Sequence, residues 1–314
     1  MLTPKGRGSL SEVLFEGMRT NRSTYTDALT TLADDDADLH ISLWALYEMH
    51  YRGFDDVDDS LEWHPELIEL RRSLESTFEQ ELRDRQPEIE ISEPFAEALF
   101  DYIAGHDGTS LAAFVQREAT TEQVLEIMQM RTIYHLKEAD PTAFVVPRLS
   151  TVPKAALMEL QYDEYGGGSP VRLHSAMFTR GLEAMGLRTE YGAYIDDVPV
   201  EVLEDNNAMS LFALNRRLRG ASLGHLAAFE ATSSLPSRRM AQGLQRLGLA
   251  PEMIDYYTEH VEADAVHEQL AVRTICGALV ADEPWLAPDV FFGAFTCLDL
   301  EDRFARRMLD EWAA

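Results

Sequence analysis

Residues 256–275 read YYTEHVEADAVHEQLAVRTI, and within them His260, Asp264 and His267 stand at i, i+4 and i+7. At about 100° per residue these three side chains fall within roughly 60° of arc on one helix face. The same face continues through Ala271, Thr274, Ile275 and Ala278, a small and apolar stripe of the kind that faces a core. Glu259, Glu262 and Glu268 lie mostly off it. The pattern therefore predicts two imidazoles and a carboxylate pointing inward. An inward carboxylate needs a hydrogen-bond partner or a cation. Either the three form a local Asp–His pair packed in the core, or they bind a metal such as zinc, iron or manganese.

More inward donors decide between these. Glu164 closes KAALMELQYDEY, and His174 opens the helix after the GGGSP break at 166–170, so an interrupted helix can bring both to one point. Glu230, in GHLAAFEATSSLP, shares a face with Leu223, Leu226 and Ala227. Glu138 ends the segment YHLKEAD just before Pro141. Three histidines and three or four carboxylates exceed the four ligands of a structural zinc. They suit two oxygen- and nitrogen-ligated transition metals in a helical bundle. The two Glu-x-x-His motifs of ferritin-like di-iron proteins are absent; Asp264-x-x-His267 is the nearest analogue.

The elements that must carry these residues are helical. Periodicity of 3.6 residues predicts helices at 37–52, 65–85, 93–105, 110–117, 120–138, 153–165, 170–186, 207–219, 222–233, 236–247, 251–280, 288–296 and 300–313. Ser169 and Pro170 are read as a helix start, Pro236 and Pro251 as two more, and Gly186 as a stop. The chain thus reads as all-α. Residues 1–117 form an acidic, aromatic-rich helical region, and residues 118–314 hold the strong ligand candidates.

Composition narrows the function classes. The chain has 314 residues, 46% of them apolar, and a net charge of −28. That charge disfavours nucleic acid and anionic membrane surfaces, because no basic surplus neutralises phosphate. No apolar run of membrane-spanning length is present, the first residues lack a signal-peptide core, and two cysteines make no disulfide framework, so a cytoplasmic protein is expected. DDDAD at 34–38 and DDVDD at 55–59 read as solvated loops or helix ends. His50 and His64 read as surface or packing residues, and His135 as a helix-surface residue within reach of Glu138. His225 lies off the Glu230 face, and Arg238 and Arg239 read as exposed.

Glu164, His174, Glu230 and His260-x3-Asp264-x2-His267, in that order, resemble the haem-oxygenase-like di-iron oxidases and oxygenases over about residues 120–280. The E-x9-H spacing across EYGGGSPVRLH is similar to the subgroup containing the N-oxygenating domain of the streptozotocin nitrosourea synthase. The resemblance implies a haem-oxygenase-like bundle that need not bind haem, with two Fe(II) ions held by Glu164, His174, Glu230, His260, Asp264 and His267. Glu138 stands where that subgroup adds a further carboxylate ligand. It implies O2 as cosubstrate, an external reductant, a peroxo-di-iron(III) species, and N-oxygenation of an amine or amino-acid-derived small molecule. Oxidative C–C cleavage of an amino or fatty acid, or a metal-free binding protein of the same fold, are the alternatives. The N-terminal helices resemble the dimerisation region of that enzyme, which implies a homodimer. Residues 1–314 show no counterpart of its cupin domain, so the cupin's chemistry is not expected.

Overall fold

A computed structural model describes residues 1–20 and 25–313, with residues 262–265 described by their backbone alone. Helices α1 (Ser9–Thr20), α2 (Thr26–Thr30), α3 (Asp36–Glu48), α4 (Pro65–Arg85), α5 (Phe95–Ala104) and α6 (Leu111–Arg117) form the first third. Then come α7 (Thr121–His135), α8 (Asp140–Ala143), α9 (Thr151–Glu164), α10 (His174–Ala184) and α11 (Val200–Leu214). The chain ends in α12 (Arg219–Leu247), α13 (Pro251–Gln269), α14 (Gly277–Asp282) and α15 (Ala287–Ala313). Among the described residues there is no strand, so the all-α expectation holds.

The long helices α12, α13 and α15 are the axis of the bundle. α12 packs along both of the others, α10 along α13, and α9 along the segment that follows α13. The α12–α15 crossing is close. A Cβ on Gly224 would lie 1.9 Å from the carbonyl oxygen of Val290, and one on Gly293 1.8 Å from that of Ala221. Neither position admits a side chain without separating the helices. Earlier helices pack onto this axis through shared apolar residues: Trp44, Phe78, Leu211 and Phe292 are buried in one continuous cluster. The start of α1 is closed by Asp38, which accepts from the backbone amides of Leu10 and Ser11 and from the Ser11 hydroxyl. Asp38 is thus buried, not solvated as DDDAD suggested, because the first amides of a helix need an acceptor and this carboxylate supplies it.

Three other sequence readings need correction. Pro236 does not start a helix; α12 runs through it. Proline removes only its own N–H from the ladder, and packing on both sides holds the remainder. Ser169-Pro170 does not start α10, which begins at His174 after a turn. The stripe after His267 also shifts. Leu270–Cys276 is π-helical, so Ala271, Val272, Ile275 and Cys276 are buried while Thr274 is exposed. The wider turn rotates later residues relative to a 3.6-residue register.

Candidate metal centre

The loop between α9 and α10 does the first assembly step. Gly166, Gly167 and Gly168 have φ of 69°, 61° and 80°, the left-handed region that glycine enters without penalty. A Cβ on Gly166 would lie 2.5 Å from the backbone of Arg172 and Leu173. The chain folds back so tightly that Glu164, last in α9, meets His174, first in α10: His174 Nδ1 lies 3.0 Å from Glu164 Oε2. α13 brings His260 and His267 on one face, two turns apart, and α12 brings Glu230. Glu138 arrives from the turn after α7, where Ala139 has φ of 71°.

All six side chains are buried, and they sort into two groups: Glu138 with His174 and His260, and Glu164 with Glu230 and His267. Within each group the ligand atoms lie within 4.8 Å of one another. The groups touch. The imidazoles of His174 and His260 are 4.5 Å apart between centroids, and Glu164 spans the boundary. Its Oε2 faces His174 of the first group, while its Oε1 lies 3.6 Å from His267 Nδ1 of the second. His267 Nδ1 is also 3.4 Å from Glu230 Oε2. Asp264, the remaining residue of the predicted set, lies outside the residues whose side chains are described.

Neighbours fix which nitrogen each imidazole turns inward. His260 Nδ1 donates to the carbonyl of Tyr256 at 2.8 Å, so Nε2 faces Glu138 at 3.5 Å. His267 Nε2 lies 3.3 Å from Asp163 Oδ2; since a carboxylate only accepts, Nε2 carries the hydrogen and Nδ1 turns to Glu164 and Glu230. Around Glu138 a second set of contacts closes. The Tyr256 hydroxyl lies 3.0 Å from Oε2 and 2.9 Å from His135 Nδ1, and His135 Nδ1 is 3.2 Å from Glu138 Oε1. A hydroxyl has one hydrogen, which goes to the carboxylate; His135 Nδ1–H then donates to the phenol oxygen and to Glu138. His135 is buried, so its reading as a helix-surface residue is overturned: Tyr256 and Phe178 pack over it.

The electrostatics of the centre are those of crowded buried acids and imidazoles. Burial opposes charging His267, but the carboxylates of Glu230 and Glu164 outweigh it and push the imidazole up to about 9. Burial likewise opposes charging His174, and Glu164 raises it. Burial raises Glu230 against the pull of His267. Glu138 is held well below its usual range, against burial, by His135 and His260. Glu164 and Glu230 thus have the imidazoles of His174 and His267 as their nearest compensation, and Glu138 has the Tyr256 hydroxyl, His135 and His260. Two divalent cations would supply that charge directly and free both imidazoles to act as neutral donors. Carboxylate and imidazole, with no thiolate, suit iron or manganese, and zinc less well. The free cysteines, Cys276 and Cys297, are buried elsewhere in the core. The donor set therefore fits a pair of iron ions.

The model of a family described as iron-containing redox enzymes matches residues 125–302, more than half of the chain. The protein belongs to that family. Residues Glu138 to His267 all lie inside the matched span. No curated protein matches the chain. Membership makes the protein an oxidoreductase whose family uses iron, and the two buried groups are where these residues could hold it.

Sequence reading missed two contributors, Asp163 and Tyr256, and placed a third, His135, on the helix surface although within reach of Glu138. Each had a local signal. Asp163 adjoins Glu164, Tyr256 precedes His260 by one helical turn, and His135 precedes Glu138 by three. The remaining histidines stay apart from the centre. His50 pairs with Arg71 and Glu62, and His225 lies 3.9 Å from Asp205, where burial lowers it to about 4. His64 packs its ring edge-on against Tyr25. Arg238 is exposed as expected, whereas Arg239 is half-buried and donates to the Ser110 hydroxyl at 3.3 Å.

Proposed function

We propose that the protein is a non-haem di-iron oxygenase that N-oxygenates an amine or amino-acid-derived small molecule, using O2 and an external reductant. The observation that carries this reading is Glu164, whose two oxygens face two different groups of buried histidine and glutamate. A carboxylate so placed can bridge two metal ions. On this reading Glu138, His174 and His260 hold one ion and Glu230 and His267 the other, with Asp264 as a further ligand on α13.

Iron bound there supplies the electrons that reduce O2. The overall balance is amine plus O2, two electrons and two protons to hydroxylamine plus water. The chain's own residues do the remainder. Asp163 and the Tyr256 carbonyl hold the imidazoles of His267 and His260 in the tautomers that point inward. Tyr256 and His135 orient Glu138. The buried rings of Tyr256 and Phe178 pack against His260 and His135, and Leu160 lines the small space shared by Glu138, Glu164, Glu230 and His260, so apolar surface borders the centre.

The test is direct. Protein loaded anaerobically with Fe(II) is given reductant, 18O2 and a panel of amines and amino acids, and products are read by mass. An amine carrying one 18O atom supports the reading. A product that has lost carbon, or a panel returned unchanged by iron-replete protein, contradicts it.

A further inference from the structure

Gln161 lies on α9, three residues before Glu164, and only 1% of it is exposed. It belongs to neither group of candidate ligands. Its amide Nε2 donates to the carbonyl oxygen of Ala139 at 3.0 Å. Only the NH2 end of a carboxamide can donate, so this bond fixes which end is which. Oε1, at the other end, is buried and has no hydrogen-bond partner among the described residues. A buried acceptor left unmatched costs free energy, and native interiors rarely keep one without a use for it.

The carbonyl that holds Gln161 is itself fixed by an unusual turn. Ala139 has φ of 71°, alone among the described non-glycine residues in having a positive value. A conformation of this kind persists only where the surroundings enforce it, and it tends to gather at functional sites. Here both flanks of the turn are braced. Arg52 donates to the Leu136 carbonyl at 2.9 Å, and the Tyr165 hydroxyl donates to Asp140 Oδ1 at 3.0 Å. One turn thus sends Glu138 to the centre and aims the next carbonyl at Gln161.

Gln161 borders the small space that Glu138, Glu164, Glu230 and His260 share. With Nε2 engaged at Ala139, Oε1 is the polar atom that Gln161 can offer to it. The three carboxylates there also accept only. Metal ions would neutralise them but bring no hydrogen for Oε1. An incoming molecule must therefore supply it. About 10 Å³ of this space is free, close to the roughly 10–15 Å³ that one water requires. A water has two hydrogens to give, one to Oε1 and one to a carboxylate, and its oxygen keeps lone pairs for a metal. Tyr134 and Thr142 also border the space, and their hydroxyls can give or take a hydrogen bond. Dioxygen and nitric oxide bring lone pairs alone, which Oε1 would repel.

We propose that Gln161 Oε1 is a hydrogen-bond acceptor of the metal centre, and that it holds a water there, metal-bound when the ions are present, in preference to small ligands that carry no hydrogen. The preference among ligands of the metal rests on the di-iron reading; the water position does not.

Two measurements test this, and neither is turnover. The first is a crystal structure of the metal-free protein at a resolution that places solvent. An ordered water within hydrogen-bond distance of Oε1 is expected, with Nε2 still on Ala139. No water at Oε1, or a carboxamide turned the other way, overturns the proposal without recourse to any variant. The second measurement titrates Fe(II)-loaded protein with nitric oxide in the absence of O2, followed by electron paramagnetic resonance. Q161M keeps the length of the side chain and removes the acceptor. It should bind nitric oxide at least about fivefold more tightly than the parent, the equivalent of one hydrogen bond, with iron content unchanged. If Gln161 only ties α9 to the turn at Ala139, Q161M will lower the melting temperature and leave nitric oxide affinity as it was, and the proposal fails. A protein that takes up no iron would sink the di-iron reading, and the solvent at Oε1 would then decide the role of Gln161 by itself.

Discussion

Lys137 and Glu138 are neighbours in sequence, and each enters a different buried cluster. On the Lys137 side the charges are matched. Lys137 Nζ lies 3.7 Å from Glu48 Oε2, with the rings of Tyr51 and Trp44 at 4.5 and 5.9 Å. The Tyr191 hydroxyl donates to Glu48 Oε2 at 2.7 Å, and the Arg52 amide donates to Glu48 Oε1 at 3.2 Å. On the Glu138 side three glutamates face three inward histidines, and among the described residues Glu138, Glu164 and Glu230 form ion pairs with histidine and none with lysine or arginine. Both clusters are buried carboxylate networks. The first is closed by its own cation and hydroxyls; the second requires protons or metal. That difference in charge balance, more than the presence of acids and histidines, sets the candidate metal centre apart from the Lys137 network.

Substitutions should respond accordingly. The largest effect is expected from K137M, which leaves Glu48 buried without its cation: about 3–5 kcal/mol of stability lost, read by denaturant unfolding. Iron stoichiometry of the folded fraction should not change. If K137M is silent, the Lys137 cluster is not the closed network described.

Next comes pH, with opposite signs in two places in the metal-free protein. His225 is lowered to about 4 by burial, so its contribution is full above an unfolded value near 6.5 and is lost as pH falls toward 4. His267 is raised to about 9, against burial, by Glu230 and Glu164, so its contribution is full below about 6.5 and is lost as pH rises through 9. Melting curves from pH 4 to 10 should show both limbs. H225Q should flatten the acid limb and E230Q the alkaline one; an unchanged acid limb in H225Q would remove the first assignment.

G166A forces a side chain into the left-handed turn and against Arg172, at a cost of about 1–3 kcal/mol, and should loosen iron by separating Glu164 from His174. Equal iron affinity in G166A would show that the glycine turn does not set the site. The smallest effect carries the clearest sign. E230Q removes one of the crowded carboxylates, so above pH 9, where His267 no longer carries a charge, the metal-free variant should be at least as stable as the parent, while E48Q in the matched cluster should be less stable. A metal-free E230Q destabilised at that pH would contradict the excess of negative charge.

The residues that gather at the candidate centre were largely legible in the sequence because they break local rules. Polar groups on apolar faces, as at Glu230 and at His260 with His267, need a reason, and helical periodicity reveals the face. What could not be read was pairing across helices. That Glu164 lies between the two groups, that Asp163 turns His267, and that the Tyr256 hydroxyl meets Glu138 all depend on how α9, α12 and α13 pack. Helix existence was read better than helix ends. α1 was missed, and α11 was expected to begin at residue 207 but starts at Val200. Pro236 misled because tertiary packing outweighs one missing hydrogen bond, and the π-helical turn after Gln269 shifts a register that sequence spacing presents as regular.

The most direct measurement is anaerobic Fe(II) titration of the metal-free protein, with bound iron counted per chain, repeated on E164A and H267A. The account predicts two ions per chain in the parent, a loss from both groups in E164A, and retention of about one in H267A. One ion or none in the parent, or an E164A protein that still holds two, would contradict a shared carboxylate between two metal sites.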